Sequence, residues 1–515
     1  MQVQRHLSLN MLPRLYKMSK QGIRSSPMRV RLVAYTADPL SIVASSARTC
    51  YSRRVIYPEE VTPSLRERLS RELLSSGHIT PYQHPTFVFA IENVSRHAVW
   101  SLLHSHPFYN SEQSSQRYNI LKVPDVYTPG FKSEKCMRLY LDAVKIAWDA
   151  YFEIMRTLHP VLLEQYEPIA RIKGLSREEM NREAERKAAE SARYVLPVAA
   201  HTHLYHTING MTLIRYARWC LDCDTPKEGQ ELLTLMRDEI RRVDPGFAEI
   251  IPIPSGEKTV DRPMISRGDQ FTREFDSILE GKVSKLAGYS PEDESVILDW
   301  LREVHGIPSE SDIDMDALLH RGLKYEYPLF RVFSHVCYTF KKCMSHAADS
   351  QEERHREVNA SRPLLSLMHT SKPDAVTPES ISSIHEAETL FHDVMKTLWE
   401  TKEALLNDGE DPKDACYILP NATKIRYTES GTYLAMRSKW RLRTCFLAQR
   451  EIFDASMQEL EQVRRVHPLL GKYISPRCVS PIQGEDSREG FPCPEGKRWC
   501  GVKVWLNFPR VKRIF

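Results

Sequence analysis

Residues 77–118 read "GHITPYQHPTFVFAIENVSRHAVWSLLHSHPFYNSEQSSQRY", and the succession of patterns in this stretch decides how the rest is read. "FVFAIENV" (87–94) places Phe87, Phe89 and Ile91 at every second position, the period of a half-buried strand. The apolar run ending "WSLL" then gives way to "SHPFYNSEQSSQRY" (105–118), with tandem serines, two glutamines, a glutamate and a closing Arg-Tyr. Such a stretch in isolation is usually a solvated loop. Directly after a strand and a short helix, it reads as a surface for holding something polar.

Outward from it, "RVRLVAYT" (29–36) is strand-like and "PLSIVASSARTCY" (39–51) helical, with a further helix at about 60–76. From about 133 to 245 the pattern turns helical. "MRLYLDAVKIAWDAYFEIM" spaces its apolar residues by three and four, and Ser176 with Glu179 forms a capping-box start for the helix that ends in "ARYVLP" (192–197). Residues 245–290 mix prolines, glycines and charge without clear periodicity, which sets a domain boundary there; Ser290-Pro291-Glu292 reads as the start of the next helix.

The second half repeats the first in outline. "MSHAADSQEERHRE" (344–357) echoes "HSHPFYNSEQSSQRYN" (104–119), and "ACYILP" (415–420) echoes "ARYVLP", in the same order. The pattern is a tandem duplication. The expected organisation is an N-terminal extension (1–27), a first domain (28–245), a linker (246–289), a second, degenerate domain (290–465) and a Cys-rich C-terminal segment (466–515).

Composition narrows the class. The 515 residues exceed what one core usually serves, so two domains are expected. Hydrophobic content of 42% and charged content of 27% are those of a globular protein, and no apolar run approaches the ~18 residues of a membrane span. A net charge of +4 from 71 basic and 67 acidic residues gives no argument for nucleic acid. Eleven cysteines are an odd count without a secretory signal, which favours reduced thiols and the cytoplasm. The first 37 residues hold seven Arg and Lys residues and no acid, a pattern shared with transit peptides. Because "MRVRLVAYTADP" at Met28 looks like a domain's first strand, residues 1–27 read as an upstream extension rather than as targeting.

The Gly-His at 77–78, "TPYQH" (80–84), the aromatic strand, Ser95-Arg96 and the closing "SQRY" resemble the flavin-dependent thymidylate synthase family. "AYTADPLSIVASSARTCYS" upstream is similar to that family's opening, and "ARYVLPVAAHTHLYHTINGMTLIRY" to its Arg-x-x-Leu-Pro segment followed by Thr-x-Asn. The resemblance implies an α+β fold: two tandem thymidylate-synthase-complementing-type domains, each with helices packed on a mainly antiparallel sheet. It implies conversion of dUMP to dTMP with FAD as cofactor and methylenetetrahydrofolate and NADPH as cosubstrates. Phosphate-bearing ligands call for arginine forks and hydroxyl donors, and charge developing on the uracil calls for cationic donors. No protein thiol is needed as nucleophile, because the flavin carries the hard chemistry.

Carried over by position, His84, His106, Gln113 and Asn209 are the expected cofactor-binding residues. Ser115, Gln116, Arg117 and Tyr118 are expected on the nucleotide, with Arg193 and Arg443 in both substrate-binding and catalytic roles. The chain departs from the family at Ser105-His106-Pro107, where the family has Arg-His-Arg. Lys341, Lys342, Arg354 and Arg356 are the first candidates to replace that charge. Counted from the Leu-Pro proline, the family's second nucleotide arginine falls here on Cys220, but the same count from Pro420 falls on Arg443; conversely Cys416 stands where the first half has Arg193. Each half keeps what the other lost. The expectation is a composite site of Arg193 and Arg443 in a homodimer with four domains in a pseudo-tetrameric arrangement, serving small-molecule substrates without nucleic acid or membrane.

Two readings from other classes stand beside it. Loss of the arginines at 105 and 107 fits a diverged flavin- or nucleotide-binding protein without synthase activity. His467, Cys478, Cys493 and Cys500 offer one imidazole and three thiols in a loop-rich tail, a set suited to structural zinc and to a zinc-stabilised assembly module. Cys220 and Cys223, a lone C-x-x-C, read as buried thiols.

Overall fold

The computed structural model describes residues 22–222, 225–252, 268–292, 294–308, 328–367, 370–479, 493–511 and 513. It contains two four-stranded antiparallel sheets. The first, in order β1-β2-β4-β3, is built from β1 (Arg29–Tyr35), β2 (Thr86–Ser95), β3 (Tyr109–Gln113) and β4 (His201–Asn209); the second, in order β5-β6-β8-β7, from β5 (Ser284–Tyr289), β6 (Cys337–Ser345), β7 (Asn359–Ser361) and β8 (Lys424–Thr432). Both sheets carry helices, so the architecture is α+β, as the family resemblance implied. No helix among the described residues is long and apolar enough to cross a membrane.

The helices used below are α1 (Pro39–Thr49), α2 (Pro63–Ser75), α3 (Glu134–Lys173), α4 (Arg177–Ala192), α5 (Gly210–Asp222), α6 (Lys227–Arg241), α7 (Gly268–Leu279), α8 (Glu294–His305), α9 (His346–Glu352), α10 (His385–Asn407), α11 (Tyr433–Arg443) and α12 (Arg450–Val466). Local chemistry starts many of them. Asp38 and Thr62 cap α1 and α2 through their side chains, each ahead of a proline, and Ser176 with Glu179 forms the capping box of α4.

The chain divides into two compact units that do not follow sequence order. Unit 1 comprises 1–152, 195–265 and 394–420; unit 2 comprises 153–194, 266–393 and 421–515. The contiguous boundaries read from the sequence therefore differ from the folded units, because α3 and α10 each change unit part-way along. Unit 1 buries Phe87, Phe89 and Ile91 of β2 with Leu204 and Ile208 of β4 against Leu213, Met236 and Phe247. Unit 2 buries Tyr338, Phe340, Phe333, Tyr433, Trp440 and Leu460. Each such large side chain contributes about 2–3 kcal/mol by leaving water.

Three expectations are corrected here. The stretch 246–289 read as linker holds α7 and β5; "SKLAGY" lacks the alternation that marks a strand, and its register comes from pairing with β6. β4 lies inside the region read as helical, although Leu204, His206 and Ile208 alternate within it. Ser290 does not cap α8, which starts at Glu294; its hydroxyl instead donates to the His335 carbonyl and accepts from the Cys337 amide.

Candidate functional site

In unit 1, β2 begins opposite the end of β4, with Thr86 paired to Asn209 and the Gly210 amide donating to the Pro85 carbonyl. His84, exposed at the end of a 3-10 turn (Thr80–Gln83), and Asn209 therefore flank the same end of the sheet. Asn209 Oδ1 accepts from the Thr212 amide at 2.8 Å, opening α5. Thr212 Oγ1 donates to the Phe108 carbonyl, which ties the segment after His106 to that end as well. His106 stacks on Tyr216 at 5.8 Å; burial and then nearby Arg215 push its pKa down. Thus three of the four residues expected on the cofactor gather at one end.

The remaining unit 1 residues follow β3 towards the other end. Gln113 pairs with Leu204, and Ser114 continues the ladder by donating to the His203 carbonyl. The chain then turns at Ser115, whose hydroxyl accepts from the Arg117 amide at 3.2 Å. Gln116 is buried, Arg117 lies 5.7 Å from the Tyr118 ring, and Tyr118 is 63% exposed. Arg96 Nη2 donates to the Ser114 carbonyl and braces this turn from the end of β2.

Arg193 and Arg443 both belong to unit 2, where they meet around two glutamines. Arg193 Nη2 donates to Gln449 Oε1, which also accepts from Gln351 Nε2; Arg443 Nη2 donates to the Gln351 carbonyl. Gln449 Nε2 in turn donates to Tyr194 Oη, and Tyr194 donates to Glu451 at 2.6 Å. Glu451 closes the cluster by accepting from the amide and hydroxyl of Ser345. Burial pushes Glu451 up from the ordinary carboxyl range, against the donors around it.

Unit 1 repeats this framework with different side chains. Glu228 accepts from the Ser95 amide at 2.7 Å, the Ser95 hydroxyl and Tyr417 Oη at 2.7 Å, as Glu451 does from Ser345 and Tyr194. Matched element for element, Cys416 stands where Arg193 does, Cys220 where Arg443 does, Pro226 where Gln449 does, and Leu102 where Gln351 does. The frame is kept in both units, and the cationic and amide chemistry in unit 2 alone. Cys416 lies 3.7 Å from His97 Nε2, and burial pushes its pKa far up, so it offers no thiolate.

The same matching corrects the register read from sequence, moving Ser345 from the place of Ser105 to that of Ser95, and joins Arg354 and Arg356, already candidates for the missing charge, with His355 in one triplet. Arg354-His355-Arg356 reads Arg-His-Arg and occupies the places of Ser105-His106-Pro107, since Asn110 and Asn359 hold the same register on β4 and β8. It directly follows α9, with Arg354 exposed and Arg356 half-buried. Among the described residues His355 Nε2 has no hydrogen-bond partner, and burial followed by the nearby Arg443 charge pushes its pKa down to about 3. Of the substitutes considered earlier, Lys342 is excluded. It is fully buried on three glutamates and reaches no ligand. Lys341 lies 5.2 Å from the Phe275 ring.

The tail does not assemble the metal set read from sequence. His467 is buried and uses both ring nitrogens, Nδ1 with Tyr338 Oη at 2.7 Å and Nε2 with the Glu292 carbonyl at 3.2 Å. Its place is the unit 2 core, fixed by packing that sequence proximity to the cysteines does not reveal. Cys478, Cys493 and Cys500 are free thiols with raised pKa values, chiefly through burial, and no group of three His, Cys, Asp or Glu among the described residues could hold a metal ion. Cys223 lies outside the described residues.

Comparison with known proteins agrees with the repeated framework. The family model described as Thymidylate synthase complementing protein matches residues 31–246 and again 285–469. A flavin-dependent thymidylate synthase of Clostridium tetani is 32% identical over 226 residues, covering 43% of this chain and 85% of the relative. One from Geobacter sulfurreducens is 28% identical over 225 residues, covering 43% and 87%. Among solved structures, a flavin-dependent thymidylate synthase from Helicobacter pylori complexed with FAD and dUMP aligns at 18% identity and a TM-score of 0.31, covering 44% of this chain and 99% of that one. Two family matches in tandem, together spanning most of the sequence, establish that this chain belongs to the thymidylate synthase complementing protein family.

Proposed function

We propose that this protein is a flavin-dependent thymidylate synthase that methylates dUMP to dTMP, and that unit 2 carries its nucleotide site. The observation that supports this reading most is the pairing of Arg193 with Arg443 around Gln351 and Gln449, beside an Arg-His-Arg triplet. Two guanidiniums oriented by buried Gln449 and half-buried Gln351 suit a phosphate, which takes forked, charge-assisted hydrogen bonds. On this reading Arg193, from the first repeat, and Arg443, from the second, hold the phosphate and leave the uracil facing the cofactor.

The residues of unit 2 also fit FAD. Arg354 and Arg356 can neutralise its phosphates, and the buried, unpartnered Nε2 of His355 offers one polar contact beside them. Bound FAD would supply the hydride that completes the methyl group, replenished by NADPH, with methylenetetrahydrofolate as carbon donor. His84, His106, Gln113 and Asn209 of unit 1, with Ser115 to Tyr118, are retained as candidate cofactor and nucleotide contacts. A dimer of chains is the expected assembly, to be checked by light scattering.

A second reading is favoured by one specific observation: in unit 1 the equivalents of Arg193 and Arg443 are cysteines and the triplet lacks arginine. Such loss fits a nucleotide- or flavin-binding protein without synthase activity. Two measurements separate the readings. Flavin absorbance of the purified or FAD-reconstituted protein, with dTMP formation from dUMP, folate and NADPH, is expected for the synthase. A protein that takes up FAD and dUMP without forming dTMP fits the second reading, and one that takes up neither overturns both.

A further inference from the structure

Among the described residues, unit 2 contains a charged core that unit 1 lacks. Lys342 on β6 and Lys439 on α11 are fully buried with Glu352, Glu429 and Glu459. Lys342 Nζ lies 3.0 Å from Glu352, 3.2 Å from Glu429 and 2.8 Å from Glu459; Lys439 Nζ lies 2.7 Å from Glu352 and also bonds Glu429. Arg443 Nε joins at 3.2 Å from Glu352, which balances three cations against three carboxylates. Burial alone would neutralise these groups. The opposing charges prevail, holding Glu352 and Glu429 below the carboxylate range and Lys342 above its own.

At the matching places unit 1 has Ile91 for Lys342, Leu103 for Glu352, His206 for Glu429, Tyr216 for Lys439 and Met236 for Glu459. These pack as an ordinary core, with one His206–Tyr216 hydrogen bond at 3.1 Å. The fold therefore does not require charge here. A buried ionic cluster is generally no more stable than an apolar one of equal size, so stability does not account for it either. What distinguishes the unit that has it is Arg443, absent from unit 1. Glu352 forms an ion pair with Arg443 Nε at 3.2 Å, outside hydrogen-bond geometry, while its chain neighbour Gln351 takes Nη2 on its backbone carbonyl and, through its side chain, shares Gln449 with Arg193.

We propose that Glu352, fixed by Lys342 and Lys439, is a positioning residue that aims Arg443, and through Gln351 and Gln449 Arg193, at one phosphate. This inference rests on the nucleotide site proposed above. The test replaces four charges with their unit 1 counterparts, Lys342→Ile, Glu352→Leu, Glu429→His and Lys439→Tyr. The swap is charge-neutral and leaves Glu459 on Ser284 and Trp440. Titration with dUMP should show affinity weaker by about tenfold or more, with an unfolding temperature equal to or above the parent's; a merely structural role would lower both together. Should the swap not fold, Glu352→Asp keeps the charge and withdraws it by one methylene, and is expected to weaken dUMP by roughly tenfold in a folded protein. Parental dUMP affinity in a folded variant overturns the inference and leaves the proposed function standing. Absence of dUMP binding by the parent protein overturns both.

Discussion

Arg193 Nη2 donates to Gln449 Oε1 inside unit 2, joining the arginine of the first repeat's "ARYVLP" to the glutamine of the second repeat's "LAQREI". Removing the guanidinium should cost the phosphate a charge-assisted contact. Arg193→Ala is expected to weaken dUMP binding by at least about tenfold, and Gln449→Leu by less, since it only loosens the arginine. Calorimetric titration of each variant checks the order.

The same measurement separates the two units. Arg443→Ala should abolish dUMP binding, whereas Cys416→Ala, at the unit 1 counterpart of Arg193, should leave it unchanged and cost about 1 kcal/mol of stability from the buried thiol's packing. Equal effects on binding would contradict the assignment of the phosphate arginines to unit 2.

Tyr194 and Tyr417 each donate to a buried glutamate, at 2.6 and 2.7 Å. Phenylalanine at either place removes one of the donors on a carboxyl that burial already disfavours as an anion. Each substitution should cost about 1–3 kcal/mol by denaturant unfolding. Only Tyr194→Phe, next to Gln449, is expected to alter dUMP affinity too.

Asp125 accepts from Ser26 and from His201 Nδ1 in unit 1, at 2.7 to 3.1 Å. Burial opposes its charge, but these donors outweigh burial and lower its pKa to about 2. A carboxyl depressed in the folded state stabilises above its unfolded pKa and loses that contribution as pH falls through the folded one. The window runs from about pH 4 down to about pH 2, and about 2 kcal/mol is involved. Asp125→Asn should lower stability near neutrality and flatten the acid limb of unfolding measured against pH.

Gly210 opens α5 immediately after Asn209. A Cβ there would meet the Phe247 ring at 2.7 Å and the Tyr82 carbonyl oxygen at 2.9 Å. The carbonyl belongs to the backbone and cannot yield as a side-chain tip would, so Gly210→Ala should cost about 1–3 kcal/mol by overpacking. Thermal unfolding reads the loss, and FAD uptake is expected to weaken with it.

Local signals carried much of the fold. The alternation of "FVFAIENV" marks β2, Ser176 and Glu179 write their own cap, and "ARYVLP" and "ACYILP" fall on matching 3-10 turns after helices. What the sequence hid depends on distant partners. Lys342 reads as a candidate for the missing phosphate charge, because the three glutamates that bury it come from α9, β8 and α12. His467 reads as a ligand beside cysteines until Tyr338 and the Glu292 carbonyl occupy both nitrogens. Arg354-His355-Arg356 was legible as letters; what was missing was the register that sets it opposite Ser105-His106-Pro107.

The division of the chain into units that trade segments has a genetic corollary. A cut between the two repeats would yield halves that are each incomplete. The N-terminal product would keep Glu228 and Ser95 but lose Tyr417, and the C-terminal product would keep Glu451 and Ser345 but lose Tyr194 and Arg193. Each repeat is thus the other's folding complement. Once joined in one reading frame, the two copies could shed different parts of the same site without either being dispensable.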